Sequence, residues 1–189
     1  MYNSIREIPR FTEAQYRCDV PLDSLGWMVD KWIREYGLEL NPDFQRGHVW
    51  SEAQQMAYCE YFLRGGTSGR EVYFNAPFWM SRRFHGERRM VLVDGLQRIT
   101  ALLKMLRNNI AVFGRTLMEY PDHELALRDF RNSLSFNVAD LPTRADVLQW
   151  YLDLNSGVAH TDKELSRIKG LLGEELYKEQ AEITKRMMK

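Results

Sequence analysis

MVLVDGLQRITALL, residues 90–103, decides how this chain is read. MVLV is short, apolar and rich in β-branched residues, which predicts a core strand. From Leu96 onward the apolar positions Ile99, Leu102, Leu103 and Leu106 recur at helical spacing, so the strand gives way to a helix at Asp94 and Gly95. Two readings of that junction stand side by side. In the first, Asp94 caps the helix and Gln97, three positions on, reciprocates. In the second, the open helix N-terminus receives phosphate oxygens, with Gly95 allowing close approach and Gln97 and Arg98 as donors. Asp94 then holds magnesium, or orients a hydroxyl or water beside a transferring phosphoryl group. Capping and catalysis are compatible.

Upstream, LDSLGWMVDKWIREYG (22–37) places Leu22, Leu25, Met28, Val29, Trp32 and Ile33 near one helical face and stops at Gly37. Asn41-Pro42-Asp43-Phe44-Gln45-Arg46 forms a polar turn before Trp50. If that turn lies beside the 94–98 junction, Arg46 and Arg98 together neutralise a phosphate chain better than either alone. Ser51 and Gln54 make a capping box for a helix running to Leu63. EVYFNAPFWM (71–80) reads as extended despite Pro77. Residues 1–20 show no persistent period.

Downstream, SLSFNV (133–138) suggests an edge strand. Thr143 caps a helix containing Val147, Leu148, Tyr151 and Leu152, and Thr161 to Glu164 signals a last helix whose final basic residues fray. The expected fold is α+β, a mixed sheet packed by several helices in one domain over 1–189, with a helical C-terminal part from about 143.

The 26 basic and 26 acidic residues cancel, so no overall positive field attracts nucleic acid or an anionic membrane, although a local basic site is allowed. The N-terminal residues lack an apolar signal segment and no run is long enough to cross a bilayer, so a cytoplasmic protein without a membrane partner is expected. Cys18 and Cys59 fit no metal knuckle and read as reduced thiols. His48, His85, His123 and His160 have no ligand spacing, and none adjoins a nucleophile with an orienting carboxylate.

The combination PDFQRGHVW, then MVLVDGLQRITALL, then WYLDLNSGVAHTDKELSRI resembles the DUF262 family, related to the DGQQR-motif domains of the ParB/sulfiredoxin-like superfamily. The resemblance covers about residues 20–170. It implies a ParB/sulfiredoxin-like mixed sheet and a nucleotide-binding domain of DNA-modification, restriction or phage-defence systems. Asp94, Gly95, Gln97 and Arg98 match the central signature, Gln45 and Arg46 the earlier phosphate-site signature, and Asn155 and Gly157 the late LNSG segment. The resemblance implies catalytic roles for Asp94, Gln97 and Arg98, with Asp94 also the metal ligand. It implies nucleotide binding by Gln45, Arg46, Gly95, Thr100 and Asn155. Leu96 stands where the family often has glutamine. The sequence shows no HNH nuclease constellation, so a short stand-alone phage or bacterial member is expected.

The implied activity is hydrolysis or transfer of the terminal phosphoryl group of ATP, GTP or CTP with Mg2+. The alternatives are a DNA-base kinase of a phage hypermodification pathway and a non-catalytic module that binds DNA or regulates a partner, either another copy of the chain or a defence-system protein. Arg82, Arg83, Arg88 and Arg89 around Phe84 and His85 form the candidate DNA-binding patch, with a solvated loop as the competing reading. Trp27, Trp32 and Trp150 read as core, while Trp50 abuts the early motif and Trp79 stands either at the site rim or in an aromatic core. A sulfiredoxin-like thiol role is disfavoured, because neither cysteine has an activating basic cluster.

Overall fold

The computed structural model describes residues 8, 12–77, 79, 89–129, 131–155 and 162–187. Four strands, β1 (Tyr16–Pro21), β2 (Glu71–Asn75), β3 (Val91–Asp94) and β4 (Ser133–Ala139), form one sheet in the order β1-β4-β2-β3. β4 runs antiparallel to β1 and parallel to β2, and β2 runs antiparallel to β3. The expected mixed α+β sheet is thus observed. The helices are α1 (Leu22–Tyr36), α2 (Glu52–Leu63), α3 (Leu96–Leu106), α4 (His123–Arg128), α5 (Arg144–Leu154) and α6 (Asp162–Met187), with a 3-10 turn at Leu117–Glu119.

The local signals act as chemistry requires. Gly37 adopts the left-handed conformation that ends α1, and its N–H donates to the Trp32 carbonyl. Ser51 and Gln54 form the reciprocal box at the start of α2, and Thr143 accepts the Asp146 N–H at the start of α5. The cap signal beginning at Thr161 lies outside the described residues. α6 continues to Met187 rather than fraying, because Glu, Gln, Ala and Lys are good helix formers and Lys185 and Arg186 complement its C-terminal dipole.

Alternation along the strands gives the sheet two different faces. Val72 and Phe74 of β2, Leu92 of β3, and Leu134, Phe136 and Val138 of β4 join the main core with Leu25, Val29 and Trp32 of α1, Phe62 of α2, and Ile99 and Leu102 of α3. Trp32, Phe74 and Phe136 meet ring to ring at 4.8–5.2 Å between centroids. On the opposite face, Val93 and Ala139 pack with Val147, Leu148, Trp150 and Tyr151 of α5 and Ile168 of α6.

Three expectations change. β4 is a central strand, buried at every position, instead of an edge; its alternating polar residues mimic a solvated face, but those side chains are bonded inside the protein. β1 lies in the segment without period, since as an edge strand it buries only Val20 fully. Trp27 is exposed with Lys31 over its ring, and Trp79 packs on Tyr16, Trp32 and Tyr36, away from the cavity described below.

Phe136→Ala is expected to cost about 3–5 kcal/mol, through lost transfer energy and an unfilled cavity between Trp32 and Phe74. Trp27→Ala is expected to stay within about 0.5 kcal/mol. Urea unfolding followed by circular dichroism checks both, and comparable losses would place the core wrongly.

Candidate functional site

The site grows from a bulge. Tyr73 pairs with Asp94 but Phe74 pairs with Leu92, so Val93 is an extra residue in β3. Directly opposed residues share a face, and the bulge therefore re-aims Asp94 to the side of Tyr73, away from the main core. Gly95 then turns the chain with φ +110°, and a Cβ there would lie 2.8 Å from Val72 Cγ1. Only glycine accommodates both the backbone conformation and the close approach to β2.

Asp94 is not the N-cap of α3. It is the last residue of β3, Gly95 is the cap, and no side chain caps the helix. The physical reason is Arg98, whose Nη2 donates to Asp94 Oδ2 one helical turn away and draws the carboxylate from the first amides. Both groups are partly buried, with side-chain exposures of 20% for Arg98 and 34% for Asp94. The N–H groups in the first turn of a helix have no intrahelical acceptor, so this end carries directed donors and partial positive charge.

The second glutamine-arginine pair arrives by side-chain clamps. Gln45 Nε2 donates to the carbonyls of Leu92 (3.2 Å) and Val93 (2.8 Å), fastening its loop to the outer edge of β3. Gln97 works in both directions: Nε2 donates to Gly47 O (2.7 Å), and Oε1 accepts from Val49 N (3.0 Å) and Trp50 N (3.1 Å). From α6, Arg167 donates to the carbonyls of Asp43, Phe44 and Gln45 at 2.7–3.1 Å. Phe44 meanwhile packs edge-on against Tyr151. The loop is thereby held at three levels by charged or bidentate hydrogen bonds.

These contacts close a cavity of about 280 Å³ lined by Gln45, Arg46, Asp94, Gly95, Gln97, Arg98 and Asn155, together with Trp50, Leu96, Tyr151 and Leu154. The early, central and late sequence segments meet there. Asn155 is buried at the end of α5, where Nδ2 donates to Tyr151 O at 2.7 Å. Thr100 stands apart, one turn further along α3 and outside the lining, because the helix carries it away from its own N-terminus. Arg89 also lies elsewhere, against Gly37 and beside a separate cavity with Phe44, Asn75 and Arg144. Arg82, Arg83, Arg88, Phe84, His85, Gly157 and His160 lie outside the described residues.

Trp50, set apart in the sequence because it abuts the early motif, lines the cavity, whereas Tyr151 and Leu154 as walls and Arg167 as the residue fixing the loop were passed over. Arg167 sits inside the third quoted segment, but nothing local distinguishes it from a solvated helix arginine. His48 is exposed and outside the lining; the slight loss of water around its ring, followed by the positive charge of Lys104, lowers its pKa. Burial foremost, with Glu71 accepting the hydroxyl hydrogen bond, pushes Tyr73 up to about 12, and burial pushes Cys59 up to about 12. Among the described residues, no group of three or more His, Cys, Asp or Glu side chains is placed to hold a metal ion, and no helix is long and apolar enough to cross a membrane.

Two measurements follow from this geometry. Gln97→Leu leaves three backbone groups without their side-chain partner; a loss of about 1–3 kcal/mol is expected, with amide exchange accelerated at Val49 and Trp50 while β4 stays protected. Unchanged exchange at those two amides would remove the clamp. For pH, the raised folded-state values of Cys59 and Tyr73 act against ordinary values of 9.0 and 10.0. Their contribution is complete below about pH 9 and is lost as the pH climbs toward about 12, because the unfolded chain ionises first. Urea midpoints should fall over that window, more shallowly in Cys59→Ala, and a flat profile would contradict the assigned burial.

Comparison with known proteins gives one family. The family model for the GmrSD restriction endonuclease, N-terminal domain, matches residues 29–188. No curated protein and no solved structure matches the chain.

Proposed function

Since the chain belongs to the family of GmrSD restriction endonuclease N-terminal domains, a family tied to DNA modification and phage defence, we propose that its cavity binds the phosphate chain of a nucleoside triphosphate and hydrolyses or transfers the terminal phosphoryl group. One observation carries this reading: the uncapped N-terminus of α3, opened by Gly95, shares a cavity with Arg46 and Arg98. Amides, helix dipole and two guanidinium groups all favour an anion.

Within that reading the residues divide their work. Arg46 and Arg98 neutralise charge on the phosphate oxygens, and the Gly95 turn lets the backbone amides approach them. Asp94, oriented by Arg98, accepts a hydrogen bond from the attacking water or hydroxyl. Gln97, whose amide is engaged by residues 47–50, acts as a positioning residue instead of a catalytic one, and Gln45 does the same for its own loop. The donor set suits magnesium only in a shell completed by phosphate oxygens and water, with Asp94 as its single protein carboxylate; bound there, the ion would offset charge between adjacent phosphoryl groups.

The test is to incubate the protein with Mg2+ and ATP, GTP or CTP, with and without duplex and single-stranded DNA, and to resolve nucleotide and DNA products. Diphosphate with free phosphate is the expected result, and phosphate on DNA would assign transfer to that acceptor. Asp94→Asn and Arg98→Gln should each lower turnover by about 100-fold or more, the scale of a lost transition-state contact. A folded protein that consumes no nucleotide under any of these conditions would leave a binding module.

A further inference from the structure

A second cavity opens on the other side of the Asp94–Arg98 pair. It measures about 520 Å³ and shares Asp94, Arg98 and Leu154 with the first, so the two meet along one wall. Its floor is the polar part of the second sheet face. Tyr73 donates its hydroxyl hydrogen to Glu71, Ser135 donates its own to Asp19, and Arg17 pairs with Glu71 at 3.4 Å while donating to Ser135 Oγ at 3.2 Å. The guanidinium of Arg70, also at this cleft, is engaged by the carbonyls of Phe62, Gly66, Arg131 and Ser133 and stacks on the Phe62 ring.

The two cavities differ in what they can hold. The first collects positive charge and suits phosphate. The second is lined by Arg17, Arg70 and Arg98, each already held by a carboxylate or by carbonyls, beside Glu71, Tyr73 and Ser135; with its cations partnered, it offers both acceptors and donors to an uncharged polar group. Size points the same way: small-molecule sites run from about 300 to 1,000 Å³, so the first cavity alone falls short of a whole nucleotide, whereas the joined pair lies inside the range.

Resting on the proposed phosphate site, we infer that the cleft over Arg17, Glu71, Tyr73 and Ser135 receives the base and ribose of the nucleoside triphosphate and determines which nucleotide binds. The Asp94–Arg98 pair then marks the boundary where the phosphate chain passes from one compartment to the other. Selection follows from the polar groups that face the cleft: the Arg17 and Glu71 side chains are 61% and 45% exposed, and a base that matches their donor and acceptor pattern gains bonds that a mismatched one does not.

Titration calorimetry with Mg2+ and ATP, GTP, CTP or UTP, and separately with inorganic tripolyphosphate, separates the compartments. The wild-type chain should bind one nucleotide at least about tenfold tighter than tripolyphosphate and than its weakest competitor. Glu71→Gln and Arg17→Gln, each checked for an unchanged circular dichroism spectrum, should compress the nucleotide ranking to within about threefold and leave tripolyphosphate affinity unmoved. The inference is overturned if both variants keep the wild-type ranking, or if tripolyphosphate binds the wild type as tightly as every nucleotide. A folded wild-type chain that binds neither probe would bring down the phosphate site itself, and this cleft assignment with it.

Discussion

Two glutamine side chains hold the site together by bonding to backbone. β3 is an edge strand only four residues long, and its outer carbonyls need partners in the partly buried interior. Glu39 bridges to the strand at Val91, and Gln45 supplies the amide hydrogens for Leu92 and Val93. Gln97 returns the favour from α3, engaging one carbonyl and two N–H groups of residues 47–50. Arg46 sits between these two anchors, so its guanidinium reaches the cavity wall because its neighbours on both sides are tied down. An arginine on a mobile loop must order backbone and side chain together to make a contact, whereas one carried by a fixed backbone has only its side chain left to order.

The junction between β3 and α3 supplies the complementary half. Without the extra residue Val93, strand alternation would direct Asp94 toward the apolar side occupied by Leu92. The bulge turns it toward Tyr73, and Arg98 completes the pair from the next turn of helix. Gly95 carries the conformational cost of the sharp exit, and its contact distance to Val72 leaves no room for a side chain. The same local sequence therefore ends a strand, starts a helix and leaves the helix uncapped.

Much of this was legible in the sequence because it is local. The strand-to-helix change at residues 94–95, the Ser51–Gln54 box, the Gly37 stop and the Thr143 cap are each fixed by neighbours within a few positions. The resemblance also grouped Gln45, Arg46, Asp94, Arg98 and Asn155, which the fold brings to one cavity. What escaped depends on long-range contact. The competition between capping by Asp94 and pairing with Arg98 is decided by the bulge against β2, which no spacing reveals. β4 looks like an edge because Ser133, Ser135 and Asn137 alternate with apolar residues, yet Ser135 donates to Asp19 on β1 and Asn137 to the Val72 carbonyl on β2. Leu96, where the family often carries a polar residue, has joined the apolar core.

Those polar residues on β4 bear on why the second sheet face is divided. A central strand gains most by presenting apolar side chains to a covering helix, and burying Ser135 or Asn137 costs energy unless each is bonded. Near β3 the chain takes the apolar solution, with Val93 and Ala139 under α5. Toward β1 it takes the polar one, where Asp19, Arg17 and Glu71 satisfy the strand while a cleft remains above them. A fold concerned with stability alone would extend α5's apolar cover across the whole face. The polar half instead leaves Arg17, Glu71 and Tyr73 facing a cleft next to the Asp94–Arg98 pair, so covered and open sheet meet at that pair.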